Sequence, residues 1–226
     1  DLMAENYMGE LETWCHQHGV RLLGNLDMEH RLYNLPTVSG HFFKNNARTD
    51  FPSLDVIDRQ ILPERFTDYP RYAGSVARVL GKPRASSESL ANTGFGMDAN
   101  SIRYVLDHQI VRGVTHFFLM HRDYDPLLAP LRWPPDLSPA NPVMAEFAPM
   151  LNERAGRLCE LMNAGRPMVE VGVYLPLYDI AAMQSFMAHP HAGNNRELPW
   201  EPVERIARHL AYLPCEFDYF WDEALL

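Results

Sequence analysis

The chain has 226 residues, of which 46% are hydrophobic and 22% are charged, so it can bury a sizeable core and is not a disordered chain. Its formal net charge of −9 and its pI near 5.5 argue against a surface that binds nucleic acid or an anionic membrane. Its three cysteines lie far apart without CxxC spacing, which argues against a disulfide framework or a zinc knuckle.

No apolar run in the sequence reaches the roughly 18 residues that a membrane helix needs, and the N-terminus shows no signal peptide. We therefore expect a soluble protein that contacts neither nucleic acid nor membrane. The sequence opens within what reads as a domain and without a Met. The compartment therefore stays open, and a periplasmic or secreted parent protein is compatible with this pattern.

Helix and strand patterns alternate along the first half of the chain. Helices are predicted over residues 2–18, 69–80 and 100–112, and strands over residues 20–26, 54–61, 84–89 and 114–121. Residues 31–53 lack any period and predict a long loop. Gly81 and Gly113 lie between a helix and the next strand. This rhythm is typical of βα units on a parallel sheet, so we predict the α/β class.

The second half changes character at a proline-rich stretch, which predicts a linker or a lid. After it, the patterns predict a helix over residues 145–164, a strand over 168–175, the start of a helix at 178 and a helix over 202–213. We divide the chain into a first domain over residues 1–125, a linker over 126–143, and the start of a second α/β domain over 144–226.

Four phrases resemble, in this order, segments of alpha-L-rhamnosidase-type glycoside hydrolases. WCHQHGVRLLGN, YAGSVARVLGKPRASSES and YVLDHQIVRGVTHFFLMH are similar to parts of the (β/α)₈ barrel of that family. FAPMLNERAGRLCELMNAGRPMVEVGVYLP resembles the start of the flavodoxin-like domain that follows the barrel. The resemblance implies a partial (β/α)₈ TIM-type barrel, holding about its last four βα units, and then an incomplete flavodoxin-like segment.

Glycoside hydrolysis uses a pair of carboxylates, and a barrel carries its active site at the carboxyl ends of its strands. Glu88 ends the predicted strand 84–89 and is the candidate nucleophile or base. Glu29 follows the predicted strand 20–26 and is the candidate acid. The structural alternatives are a surface-loop glutamate for Glu88 and an exposed helix start for Glu29.

Further candidates for substrate binding lie near the same strand ends. Histidines there can donate to sugar hydroxyls or serve only the fold, and aromatic rings can stack on sugars or pack locally. These candidates are His121, His41, Asp27, His30, Tyr124 and Trp133. No residue is assigned to a metal by its spacing. The resemblance alone implies calcium, to which Asp27, Glu29 and His30 can contribute.

The sequence thus predicts a fragment of an O-glycosyl hydrolase of carbohydrate metabolism, with a rhamnose-containing glycan as its partner. A non-catalytic sugar-binding or interaction unit stays open as the rival, as does a different barrel hydrolase that shares only the architecture. Four barrel strands leave two open edges. We therefore expect a homo-oligomer that covers these edges, and little or no turnover by the isolated chain.

Overall fold

The computed structural model describes residues 2–31, 35–94, 96–122, 135–138, 141–182 and 201–225. Within them, helices and parallel strands alternate in a mixed α/β fold. The helices are α1 (Gly9–Gln17, continuous with a π-helical turn over Ala4–Met8), α2 (Leu35–Val38), α3 (Phe42–Ala47), α4 (Pro70–Val79), α5 (Ala99–Ile110), α6 (Pro142–Ala164), α7 (Leu177–Ala182) and α8 (Glu201–Ala211). The strands are β1 (Ser53–Val56), β2 (Ala85–Ser89), β3 (Val114–Leu119), β4 (Val169–Tyr174) and β5 (Glu216–Phe220). A 3₁₀ turn over Asp222–Leu225 follows β5.

The first sheet consists of three parallel strands in the order β1-β2-β3. Each strand is followed along the chain by a helix, α4, α5 and α6 in turn. The helix starts are fixed locally: Asp98 caps α5 by accepting from the backbone N of Ser101 at 2.7 Å, and Asn141 caps α6 directly before Pro142. This sheet confirms the predicted α/β class and its parallel strands.

The predicted strand over residues 20–26 is wrong in its extent. These residues form one isolated parallel bridge, between Leu23 and Phe51, beside the start of β1. The predicted strand over 54–61 is too long as well, because β1 ends at Val56. Asp58 and Arg59 then adopt left-handed backbone conformations with φ of 53° and 56°, which a strand cannot continue through.

Two short helices lie in the stretch that lacks periodicity. α3 begins after His41, whose ring Nδ1 accepts from the backbone N of Lys44 at 3.3 Å. Phe42 and Phe43 of α3 are fully buried, and the ring of Phe43 stacks on that of Trp221 at 4.6 Å. Burial of these aromatic side chains stabilises a helix that is too short to form by propensity.

The second sheet pairs β4 with β5 in parallel, and β5 is an element that the sequence patterns did not predict. Its Asp218 accepts from Ser75 of α4 at 2.9 Å and from Arg78 at 2.7 Å. The hydroxyl of Tyr219 donates to the buried Asp68 at 3.0 Å. These buried polar contacts attach β5 to the outer side of α4.

The two faces of the first sheet differ in their partners. Ser89 accepts from the side-chain amide of Gln109 of α5 at 3.1 Å, so its face is turned toward the helices. Since side chains alternate along a strand, Glu88 points to the opposite face. Its register partner Asp55 on β1 points the same way. In a closed barrel this face, away from the helices, is the interior.

In the described part of the chain, no helix has the length and apolarity required to cross a membrane.

Candidate functional site

Four carboxylates converge on the carboxyl edge of the first sheet. Asp55 and Glu88 are register partners on β1 and β2, and neighbouring strands lie about 4.8 Å apart. Asp27 and Glu29 come from the chain beside β1 and lie near Asp55. The charge of Asp27 acts on both Asp55 and Glu29, and the charge of Asp55 acts on Glu29. The structure therefore brings the two predicted catalytic glutamates and Asp27 to one edge, together with Asp55.

Glu29 is the most deeply buried of the four, with 1% of its surface exposed. Its Oε1 has no hydrogen-bond partner. Burial, and then the charges of Asp55 and Asp27, raise the pKa of Glu29 well above its ordinary value. A buried carboxyl group in these surroundings keeps its proton, because ionisation would place an unpaired charge among other negative charges.

Asp55 is the carboxylate of this group that the sequence patterns did not single out. The side-chain amide of Asn25 donates to its Oδ1. Burial, and then the charges of Glu88, Asp27 and Asp58, raise the pKa of Asp55 to about 7. The sequence does hold a signal for this residue, because Asp55 stands between the apolar residues Leu54 and Val56 of β1. Burying a carboxylate costs free energy, so one inside a strand is a candidate functional residue.

Glu88 is half-buried, and it lies in register between Asp55 on one side and Phe118 on the other. The side chain of Phe118 is 43% exposed. The three side chains form a row across β1, β2 and β3, with two carboxyl groups at one end and an aromatic ring at the other. A sugar can place its polar edge on such carboxylates and its apolar face on the ring.

His30 follows Glu29 in the sequence and takes part in a chain of hydrogen bonds with the side chains of Gln60 and Tyr69. The side-chain amide of Gln60 donates to Nδ1 of His30 at 3.0 Å, and Oε1 of Gln60 lies 2.7 Å from the hydroxyl of Tyr69. Burial, and then the charge of Arg31, lower the pKa of His30 to about 4. With Nδ1 accepting, Nε2 carries the proton of the neutral ring. His30 is therefore a neutral donor at physiological pH.

The loop that carries Asp27 and Glu29 is held by Ser39. The hydroxyl of Ser39 accepts from the backbone N of Asp27 at 3.1 Å and donates to the backbone O of Asp27. The backbone O of Ser39 in turn accepts from the fully buried side-chain amide of Asn45 on α3 at 2.6 Å. α3 thus positions the acidic loop.

The other predicted binding residues lie in different places. His41 caps α3 and packs against Tyr178 of α7, with a ring-centroid separation of 5.1 Å, and its Nε2 lies 3.9 Å from Glu223. Its described partners are thus on α7 and the final turn, away from the carboxylates. His121 follows β3 and is half-buried, and its backbone O accepts from Leu137 at 3.1 Å. Tyr124 and Trp133 lie outside the described residues.

The expected calcium does not fit what the structure shows. Among the described residues, no group of three or more His, Cys, Asp or Glu side chains is placed to hold a metal ion. Nδ1 of His30 already accepts from Gln60, whereas the contacts of Asp27 with Ser39 involve only the backbone of Asp27.

Left-handed backbone conformations cluster at the same edge of the sheet. Among the described residues, the non-glycine residues with positive φ are Met28, Asp58, Arg59, Leu90 and Asn92. All five lie in the segments that follow residues 20–26, β1 and β2. Such conformations cost energy for residues with a Cβ and concentrate at binding and catalytic sites.

Comparisons with known proteins bear on the fold. No family model and no curated protein match the sequence. The chain is similar to the structure of a rhamnosidase from Novosphingobium sp. PP1Y, with a TM-score of 0.67 at 16% sequence identity. The match covers 100% of this chain and 20% of that one, so the chain spans about one fifth of the length of the rhamnosidase. At this identity the similarity establishes a shared fold.

Proposed function

We propose that the chain carries the catalytic carboxylates of a glycoside hydrolase that cleaves O-glycosidic bonds, with a rhamnose-containing glycan as substrate. The observation that carries the proposal is that Glu29 and Glu88 both lie near Asp55 at one sheet edge, with Glu29 buried and the pKa of its carboxyl group raised. The fold shared with a rhamnosidase supports the sugar class. The three parallel strands are then part of a (β/α)₈ barrel, and β4 and β5 begin a flavodoxin-like segment.

Glu29 serves as the general acid. Glycosidic bond cleavage requires a carboxyl group that holds its proton until the leaving oxygen takes it. Burial and the neighbouring charges of Asp55 and Asp27 supply that condition by raising the pKa of Glu29. Oε1 of Glu29 is buried and makes no hydrogen bond, so no other group of the described structure holds this oxygen.

Glu88 serves as the nucleophile or the base. It is half-buried and lies on the face away from the helices, between Asp55 and Phe118. This location lets its carboxylate approach either the anomeric carbon or a water molecule. Because the pKa of Asp55 is raised to about 7, Asp55 is partly protonated near neutral pH, which limits the repulsion between Asp55 and Glu88.

The test uses aryl rhamnosides with two leaving groups, in a protein that carries this chain within a complete barrel. Glu29→Gln should slow cleavage of a poor leaving group by about 10²-fold or more, and should slow an activated nitrophenyl leaving group far less, because that group departs without a proton. Glu88→Gln should lower kcat for both substrates by several orders of magnitude. Glu64→Gln, in an exposed loop, is the matched control.

A non-catalytic sugar-binding unit is the rival. In its favour, the described residues contribute three hydrogen-bonded strands to the first sheet, whereas a closed barrel of this type has eight. Equal small effects of Glu29→Gln and Glu88→Gln on both substrates, with rhamnose binding retained, would favour this rival over the hydrolase.

A further inference from the structure

A cavity of about 450 Å³ lies between the segments that follow β1 and β2 and the first turns of α5. Its wall is largely apolar and includes Val56, Ile61, Met97 and Tyr104. This volume is in the range of cavities that enclose a small molecule. None of the four carboxylates described above lines the cavity, so it is a separate feature of the same sheet edge.

The charged residues in the wall of this cavity are both arginines, Arg59 and Arg103, in a chain with a net charge of −9. Two acidic residues lie nearby along the chain and are engaged elsewhere. Asp58 accepts from the side-chain amide of Asn92 at 2.6 Å, and Asp98 accepts from the backbone N of Ser101 at 2.7 Å. The described lining thus favours an anionic group.

The guanidinium of Arg59 is held in place by the segment after β2. Its Nε donates to the backbone O of Thr93 at 2.6 Å. Gly94 has φ of +96°, and a Cβ built there would lie 3.0 Å from Nη2 of Arg59. A side chain at residue 94 would therefore displace the guanidinium. The left-handed φ of Arg59 itself adds backbone strain at this point, as binding sites often do.

We propose that this cavity binds a small amphipathic anion, with an aromatic or alicyclic body and one carboxylate. The apolar wall encloses the body, and Arg59 and Arg103 pair with the carboxylate. Gln60 lines the cavity and also donates to His30, so the bound anion shares a wall residue with the acidic site. The inference stands on the cavity and does not depend on the proposed hydrolase.

The probe is 2-naphthoate, titrated into the full chain by calorimetry, with methyl 2-naphthoate as its neutral counterpart. We expect saturable binding of the anion. The ester should bind at least about tenfold more weakly than the anion, because it lacks the charged group that accepts hydrogen bonds from the arginines. Arg103→Gln should weaken binding of the anion by about tenfold. Asn100→Trp places bulk from the exposed first turn of α5 into the cavity and should abolish binding.

Arg205→Gln is the matched control, since it removes the same charge from the exposed face of α8. It should leave binding of 2-naphthoate within about twofold of the unmodified chain. Arg59→Gln should weaken binding of 2-naphthoate as much as Arg103→Gln does. Circular dichroism will show whether the Arg59→Gln variant stays folded. If it unfolds, the results for Arg103→Gln and Asn100→Trp test the proposal. The proposal is overturned by absence of saturable binding, by equal binding of the ester, or by binding that Asn100→Trp leaves unchanged.

Discussion

At the scale of single residues, Glu29 links the proposed chemistry to stability. Its pKa is raised in the folded state by burial and by Asp55 and Asp27. Below the unfolded pKa, near 4.5, both states hold the proton and Glu29 contributes nothing to the pH dependence. Above it, the unfolded chain releases the proton and the folded chain keeps it, so stability falls as pH rises toward the folded pKa.

Glu29→Gln should therefore remove part of this loss. The amide cannot ionise, so the stability of the variant relative to the unmodified chain should improve as the pH rises above 4.5, by about 1.4 kcal/mol for each pH unit until the folded pKa of Glu29 is reached. Urea unfolding across this pH range measures the difference. Glu10→Gln, on the exposed side of α1, is the control. A constant difference at every pH would mean that Glu29 is not protonated in the folded chain.

The sequence could single out Glu29 because it follows an apolar run, and Glu88 because it stands near the end of a short segment that comes after a helix and its terminating glycine. It could not predict Asp55, because the pairing of Asp55 with Glu88 depends on strand register, which is a tertiary property. The surroundings of His41 could not be predicted for a related reason. His41 follows a predicted strand, yet its ring packs on Tyr178, which lies 137 positions later in the sequence.

At the scale of elements, a close contact between α4 and the turn after α5 sets the distance between these two parts of the chain. Gly74 lies in the middle of α4, where a Cβ would overlap the backbone O of Arg112 and come within 3.2 Å of Cα of Gly113. Backbone atoms cannot yield to such an overlap without moving the helix. This contact explains why a residue with poor helix propensity occupies the centre of α4.

Gly74→Ala should accordingly destabilise the chain by about 2 kcal/mol or more, although alanine is the better helix former. Gly156→Ala is the matched control, because Gly156 lies inside α6 with nothing within 4 Å of its Cβ position. That substitution should stabilise the chain by about 0.5–1 kcal/mol. Thermal unfolding of both variants tests the pair, and an unchanged or raised midpoint for Gly74→Ala would show that α4 does not pack in this way.

Element prediction succeeded where periodicity is strong and failed where tertiary contacts decide. α4, α5 and β3 follow from apolar spacing and from the glycines that end helices, and the position of β2 follows from the α4 helix end that precedes it. β5 alternates aromatic and acidic residues, and its Asp218 is buried only because Arg78 of α4 reaches it. Such a pair across 140 residues leaves no local signal in the sequence.

At the scale of the whole molecule, we still expect the chain to form a homo-oligomer through the first sheet. Phe117 and Leu119 pack against the core, whereas Val20 is 49% exposed and belongs to the segment that lies beside the start of β1, at one edge of the sheet. Val20→Asp should therefore shift the chain toward monomer in light scattering at micromolar concentration. Val111→Asp, on an exposed turn, should not. A monodisperse monomer of normal stability before any substitution would refute this expectation.

The central claim is that the carboxylate edge of the first sheet binds a sugar between Glu29 and Glu88. A crystal structure of the chain soaked with L-rhamnose tests it most directly, and it requires no turnover by the isolated chain. We predict a sugar ring whose hydroxyls contact both carboxyl groups, with Phe118 against its apolar face. A structure in which the sugar lies elsewhere, or in which the side chain of Glu88 points to the helix-facing side of the sheet, would contradict the claim.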